Sequence, residues 1–169
     1  MKRVLIVVAY DGTAYHGWQM QPNAVTIEQI INESLTKLLG EDIEVIGASR
    51  TDAGVHAEGN VAVFDTNTSI PAEKISYALN RILPDDIVIQ ESYEVEPDFH
   101  PRKCESIKTY MYRILNRSFD LPVKGRNAIH VYNKLDIDMI SEISARRIRR
   151  QNQPYELYTR LILKRTETR

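Results

Sequence analysis

The sequence is poor in cysteine and histidine: its 169 residues include one cysteine, Cys104, and four scattered histidines. A disulfide framework is thereby excluded, and no Cys/His set stands at metal-ligand spacing. A lone thiol suits a reducing compartment, so a cytoplasmic location is expected. Long apolar runs are also missing. The run Val4 to Val8, behind the basic start Met1-Lys2-Arg3, is too short for a signal-peptide core and reads as a buried first strand. No internal repeat is present, and 43% hydrophobic with 27% charged residues fits one soluble globular domain, or one and a half, with a real core.

An excess of one charge sign is lacking overall, the formal net charge being −1. The distribution is uneven, because residues 146–169 carry a net +6 and leave −7 for the first 145. A polyanion bound to the main body must therefore meet local clusters such as Arg50, Arg81, Arg102, Lys103, Lys108 and Arg113. Composition alone reads the same residues as solvated surface charge.

Hydrophobic spacing places the elements. Ile27, Ile30, Ile31, Leu35, Leu38 and Leu39 mark one face of a helix over 26–39, with Thr26 and Gln29 placed as a capping box and Gly40 as the stop. A second helix begins near Pro71, with Ile75, Ala78, Leu79 and Ile82 on one face, and ends before Pro84. Strands are expected at about 3–10, 43–49, 59–65, 87–94 and 107–116. The order β-α-β-β-α-β predicts an α+β, ferredoxin-like (RRM-like) split βαβ fold: an antiparallel sheet with both helices on one face and the other face free. A third helix is expected to start within 135–148, before a basic, non-periodic ending.

Three segments carry candidate chemistry. Arg50-Thr51-Asp52-Ala53-Gly54-Val55-His56 follows a strand and displays Asp52 on a turn, where a carboxylate can act as nucleophile or base with Arg50 favouring its ionised form. Equally, such a turn can use its aspartate for local backbone hydrogen bonds. In Lys108-Thr109-Tyr110-Met111-Tyr112-Arg113, strand alternation sends Lys108, Tyr110 and Tyr112 to one face, for stacking on bases or for ordinary sheet packing. Tyr10-Asp11-Gly12 to Gln21-Pro22 is a glycine-interrupted aromatic loop in which Trp18 is a core anchor or a lid.

Together with Ala78-Leu79-Asn80, Leu83-Pro84 and Asp98-Phe99-His100-Pro101-Arg102, these segments resemble, in order and spacing, the successive motifs of the tRNA pseudouridine synthase A family. The resemblance covers about residues 3–135 and is most specific in the block from Arg50 to His56. It implies an isomerase that converts uridine to pseudouridine in the anticodon stem-loop of tRNA, with no metal or organic cofactor and no membrane. By the same resemblance Asp52 is the catalytic carboxylate, Tyr110 the tyrosine that packs on the flipped uracil, and Arg50 the arginine that helps expel the base. His56, Arg102 and Lys108 are expected to line the RNA cleft. The resemblance also implies a homodimer. It divides the chain into a catalytic-type domain, 1–135, and a basic segment, 136–169, with the family's second half largely missing. The alternatives are a truncated, non-catalytic RNA-binding module and, more remotely, a small-metabolite domain, which the want of an anion-cradling Gly-rich helix start disfavours.

Overall fold

The computed structural model describes residues 1–104, 108–123, 125–136, 139–140 and 157–162, with backbone alone at 108–109 and 157–162. The chain divides into two compact units, Met1–Cys104 and Glu105–Arg169.

In the first unit the elements run β1 (Lys2–Tyr10), α1 (Ile27–Leu39), β2 (Ile46–Gly47), β3 (Ala57–Thr66), α2 (Ala72–Leu79) and β4 (Ile87–Val95). The sheet order is β2-β3-β1-β4, and β1 runs antiparallel to both of its neighbours. This is the split βαβ arrangement expected from the sequence. Alternation in β1 sends Val4, Ile6, Val8 and Tyr10 into the core with Ile27, Ile31 and Leu35 of α1 and Ile75 and Leu79 of α2. Burying side chains of this kind contributes about 1.5–3 kcal/mol each, which an eight-residue helix such as α2 needs because it is too short to persist alone.

Departures from the sequence reading have local causes. Half of the capping box forms: Thr26 Oγ1 accepts from Gln29 N at 3.4 Å, whereas the Gln29 amide reaches forward to Glu33 at 2.8 Å. α2 stops at Leu79, and Ile82, beyond its end, is exposed rather than part of a buried face. The strand expected over 43–49 shrinks to Ile46–Gly47. The reason lies on α1, whose Thr36 Oγ1 accepts from Ile43 N at 3.2 Å and whose Asn32 Oδ1 accepts from Val45 N at 2.9 Å. Ile43 and Val45 are still buried, so burial and strand pairing separate here.

The sheet face away from the helices is not bare. Leu5 and Val63, paired across β1 and β3, point to that side and are buried. Arg3 on the same face forks onto Asp65 at 2.8 and 2.6 Å and donates to Phe99 O at 2.9 Å, while Arg102 Nε donates to Gly47 O at 2.8 Å. The segment after β4 is thus tied to β1 and to β2 across this face.

In the second unit β5 (Lys108–Asn116) pairs in parallel with β6 (Ile129–Val131) and β7 (Leu157–Ile162). Asn116 organises its end, donating to Val131 O and Asn133 O at 2.8 and 2.6 Å and accepting from Leu135 N at 3.1 Å. Met139 and Ile140 are helical, and the rest of the helix expected within 135–148 lies, beyond Ile140, outside the described residues. So does the basic ending, apart from β7.

Candidate active site

The turn that carries Asp52 is seated on the loop that leaves β1. Tyr10, the last residue of β1, is buried, and its hydroxyl hydrogen-bonds with Thr51 Oγ1 at 2.8 Å. The Tyr15 carbonyl accepts from Gly54 N at 3.1 Å, and Trp18 N donates to Thr51 O at 3.0 Å. Gly17 lies at φ +84°, with its Cα pressed on the Thr51 carbonyl, and a side chain there would stand 3.2 Å from the Asp52 carbonyl carbon. Trp18 itself is an anchor and not a lid: it is 1% exposed, its ring centroid is 5.9 Å from that of Tyr10, and its indole covers Gly47. From the other side Asn60 Nδ2 holds Ser49 O at 3.0 Å.

Within this frame Val55 N donates to Asp52 O at 3.2 Å and Gly54 takes φ +77°, as the third residue of a type II turn requires. The turn closes through backbone alone. The Asp52 carboxylate is exposed and has no hydrogen-bond or ion-pair partner among the described residues, unlike Asp65, paired with Arg3, and Asp11, paired with His56. Arg50, also exposed, therefore does not neutralise Asp52 within the free protein.

His56 ends the turn with Nδ1 placed 3.1 Å from Gly12 N and 2.9 Å from Asp11 Oδ1. The Thr13 hydroxyl and amide hold the Asp11 carboxyl below the usual carboxylate range, with His56 adding a smaller pull. Arg102, fixed by one edge to Gly47 O, stands beside the strand that leads into the turn and is otherwise exposed. Among the described residues no three His, Cys, Asp or Glu side chains come together in a way that could hold a metal ion, and no helix is long and apolar enough to cross a membrane.

Burial pushes the Tyr10 hydroxyl above its ordinary range, partly offset by its hydrogen bonds to Thr51 and Asn60. The folded-state pKa thus exceeds that of the unfolded chain, so the stability it contributes is complete below about pH 10 and is lost as the pH rises through the raised value. Thermal melts between about pH 8 and 11 should show the parent losing stability more steeply than Tyr10→Phe. Equal slopes would mean that the buried hydroxyl is not what titrates.

On β5 of the second unit, Tyr110 and Tyr112 share a face and are 45% and 55% exposed, too open for core packing within that unit. Lys108 begins the same strand, and its side chain lies outside what the structure describes. Arg50, Asp52, His56 and Arg102 are thus gathered in the first unit, while Tyr110 and Lys108 belong to the second.

A family model described as tRNA pseudouridine synthase matches residues 6–102, the span that holds the whole Asp52 turn, both helices and Arg102. The chain belongs to this family. Among curated relatives named tRNA pseudouridine synthase A, that of Thermoanaerobacter sp. (strain X514) is 49% identical over 145 residues, covering 86% of this chain and 59% of the relative. The protein of Acetivibrio thermocellus is 48% identical with the same coverage. That of Clostridium acetobutylicum is 47% identical over 143 residues, covering 84% of this chain and 58% of the relative. The chain spans somewhat under two thirds of the length of these tRNA pseudouridine synthases.

Sequence reasoning singled out the loop after β1 but missed its task of seating the turn. Tyr10, Tyr15 and Gly17 meet residues 51–54 from positions some 35–40 residues earlier, largely through backbone atoms. The signal available was the clustering of Gly12 and Gly17 among aromatics directly after β1.

Proposed function

We propose that this chain carries the catalytic carboxylate of a tRNA pseudouridine synthase acting on uridine in the anticodon stem-loop, with Asp52 as that group. The observation that carries the reading is the Asp52 turn itself: backbone atoms close it, hydrogen bonds from Tyr10, Tyr15 and Trp18 seat it, and the carboxylate is exposed and without a partner among the described residues. A structural aspartate would spend its oxygens on the turn.

The reaction breaks the C1′–N1 bond of uridine and forms C1′–C5, while N1 gains a proton and C5 loses one. An ionised carboxylate aimed at the ribose serves either by attack or by proton abstraction, and it stabilises any positive character at C1′. The base must first leave its stack, at a cost of a few kcal/mol. Arg50 is suited to hold the displaced backbone and Arg102 to meet phosphate, each with guanidinium edges open to solvent. Neither can act as a base. Tyr110, the exposed tyrosine of β5, is proposed as the ring that stacks on the extruded uracil, worth about 1–3 kcal/mol per base, and as the group that accepts the C5 proton. His56 and Lys108 complete the proposed RNA contacts, in a catalytic-type region over 1–135, and the family reading adds a homodimeric, cytoplasmic protein.

Tritium release from tRNA labelled at uridine C5 tests this directly. The expected result is release in step with pseudouridine formation, weakening steeply as salt rises because phosphate contacts are screened. Tight tRNA binding without release would overturn the enzyme reading in favour of a non-catalytic RNA-binding module.

A further inference from the structure

His56 Nδ1 stands in a position that one nitrogen cannot serve twice. Gly12 N–H, 3.1 Å away, needs an acceptor; the Asp11 carboxylate, 2.9 Å away, needs a donor. A neutral imidazole with its proton on Nε2 offers Nδ1 as acceptor, whereas a protonated ring offers donors only. The two neighbours differ in what else they have. Asp11 Oδ1 already accepts from Thr13 N at 3.0 Å and from Thr13 Oγ1 at 2.6 Å, while Gly12 is buried and His56 is the acceptor found for its N–H. Leaving a buried amide without a partner is costly, so the neutral ring belongs to Gly12. Protonation reverses the preference by adding charge attraction to Asp11 and removing the Gly12 acceptor.

This exchange takes place on the backbone of the Asp52 turn. The Gly12 Cα lies directly against the Val55 carbonyl, so the Gly12–His56 bond fastens the carboxy-terminal end of the turn to the loop after β1. The amino-terminal end is held separately, by Trp18 N on Thr51 O and by Tyr10 on Thr51. The titratable groups of the adjoining elements are Asp11, 2.9 Å from the ring, Tyr15 on the same loop, whose hydroxyl is engaged by Asp86 at 2.6 Å, Asp52 on the turn and Glu58, two residues on in β3.

We propose that His56 is a positioning residue for Asp52, a latch that seats the carboxy-terminal end of the turn when its neutral imidazole accepts from Gly12 N, and that loosens this end when protonation leaves the ring paired with Asp11 alone and the buried Gly12 amide without its acceptor. Its catalytic meaning rests on the reading of Asp52 as the reactive carboxylate; the latch itself does not.

The experiment is NMR on the full chain as the pH is lowered until the His56 ring carries both protons. Nitrogen shifts of His56 should place the neutral ring's proton on Nε2. As the ring protonates, the protection of the Gly12 and Gly54 amides, corrected for intrinsic exchange, should fall about tenfold or more, while that of Trp18 stays level. His56→Asn supplies an uncharged acceptor near the Nδ1 position and should keep Gly12 and Gly54 protected at every pH, whereas His56→Leu should leave them unprotected throughout. A neutral ring protonated on Nδ1, protection that ignores the charge of the ring, or an Asn variant that behaves like Leu would each overturn the latch. Should His56→Leu not fold, the parent and His56→Asn decide the matter. No arm uses turnover, so normal latch behaviour without tritium release would fault the catalytic reading alone.

Discussion

Replacing Asp52 with asparagine is expected to abolish tritium release from C5-labelled tRNA while leaving fold and tRNA binding intact. The carboxylate is exposed and unpartnered among the described residues, and the turn is closed by Val55 N on Asp52 O, so an isosteric amide removes no structural bond. Stability should therefore stay within about 0.5 kcal/mol, the ordinary range for a surface substitution. Binding should hold or tighten slightly, since a negative charge is removed from beside the phosphates. The chemistry should not survive, because an amide can neither attack C1′ nor take a proton from the ribose. A fall in rate of at least about 10³, equivalent to about 4 kcal/mol of transition-state stabilisation, is expected. Release by Asp52→Asn within tenfold of the parent would remove Asp52 from the mechanism.

The second large effect is structural. Gly17→Ala should lower stability by about 2–5 kcal/mol, from two sources of similar size. A left-handed backbone costs an alanine about 1–2 kcal/mol, and Gly17 lies at φ +84°. The added methyl must also displace the Thr51 carbonyl, an overpacking cost of about 1–3 kcal/mol that no rotamer change can relieve because the obstacle is backbone. Gly40→Ala separates the two. Gly40 has φ +69° with nothing within 4 Å of the would-be methyl, so it reports the conformational cost alone. Urea denaturation of both variants should show Gly17→Ala losing clearly more; equal losses would mean that the packing of Gly17 on Thr51 carries no weight. Because the shifted atoms belong to Thr51 and Asp52, turnover should fall further than the unfolded fraction explains.

The fold was largely legible because its elements announce themselves locally. α1 shows its buried stripe, its Thr26 cap and its Gly40 stop within fifteen residues, and β1 shows its alternation within nine. β2 was overestimated because Ile43 and Val45 have strand-like side chains, while the fate of their amides is decided by Asn32 and Thr36 on a helix earlier in the chain. The site divides in the same way. Asp52, Arg50 and Tyr110 stood out as candidates on a turn and a strand face, but only the family motifs chose chemistry over ordinary structure for them, since a lone aspartate on a turn serves either. The seating of the turn by Tyr10, Tyr15 and Gly17 depends on contacts between backbone atoms of distant residues, and no periodicity records those.

The side chains gathered along β2 have a consequence for encounters between molecules. Thr36 takes the Ile43 amide, Asn32 takes the Val45 amide, and Arg102 fills the Gly47 carbonyl, so three backbone groups along this rim are already engaged. A strand arriving from another copy would have to compete with these three side chains to complete a ladder. The rim thereby resists templated addition of strands, the route by which exposed sheet edges seed aggregates.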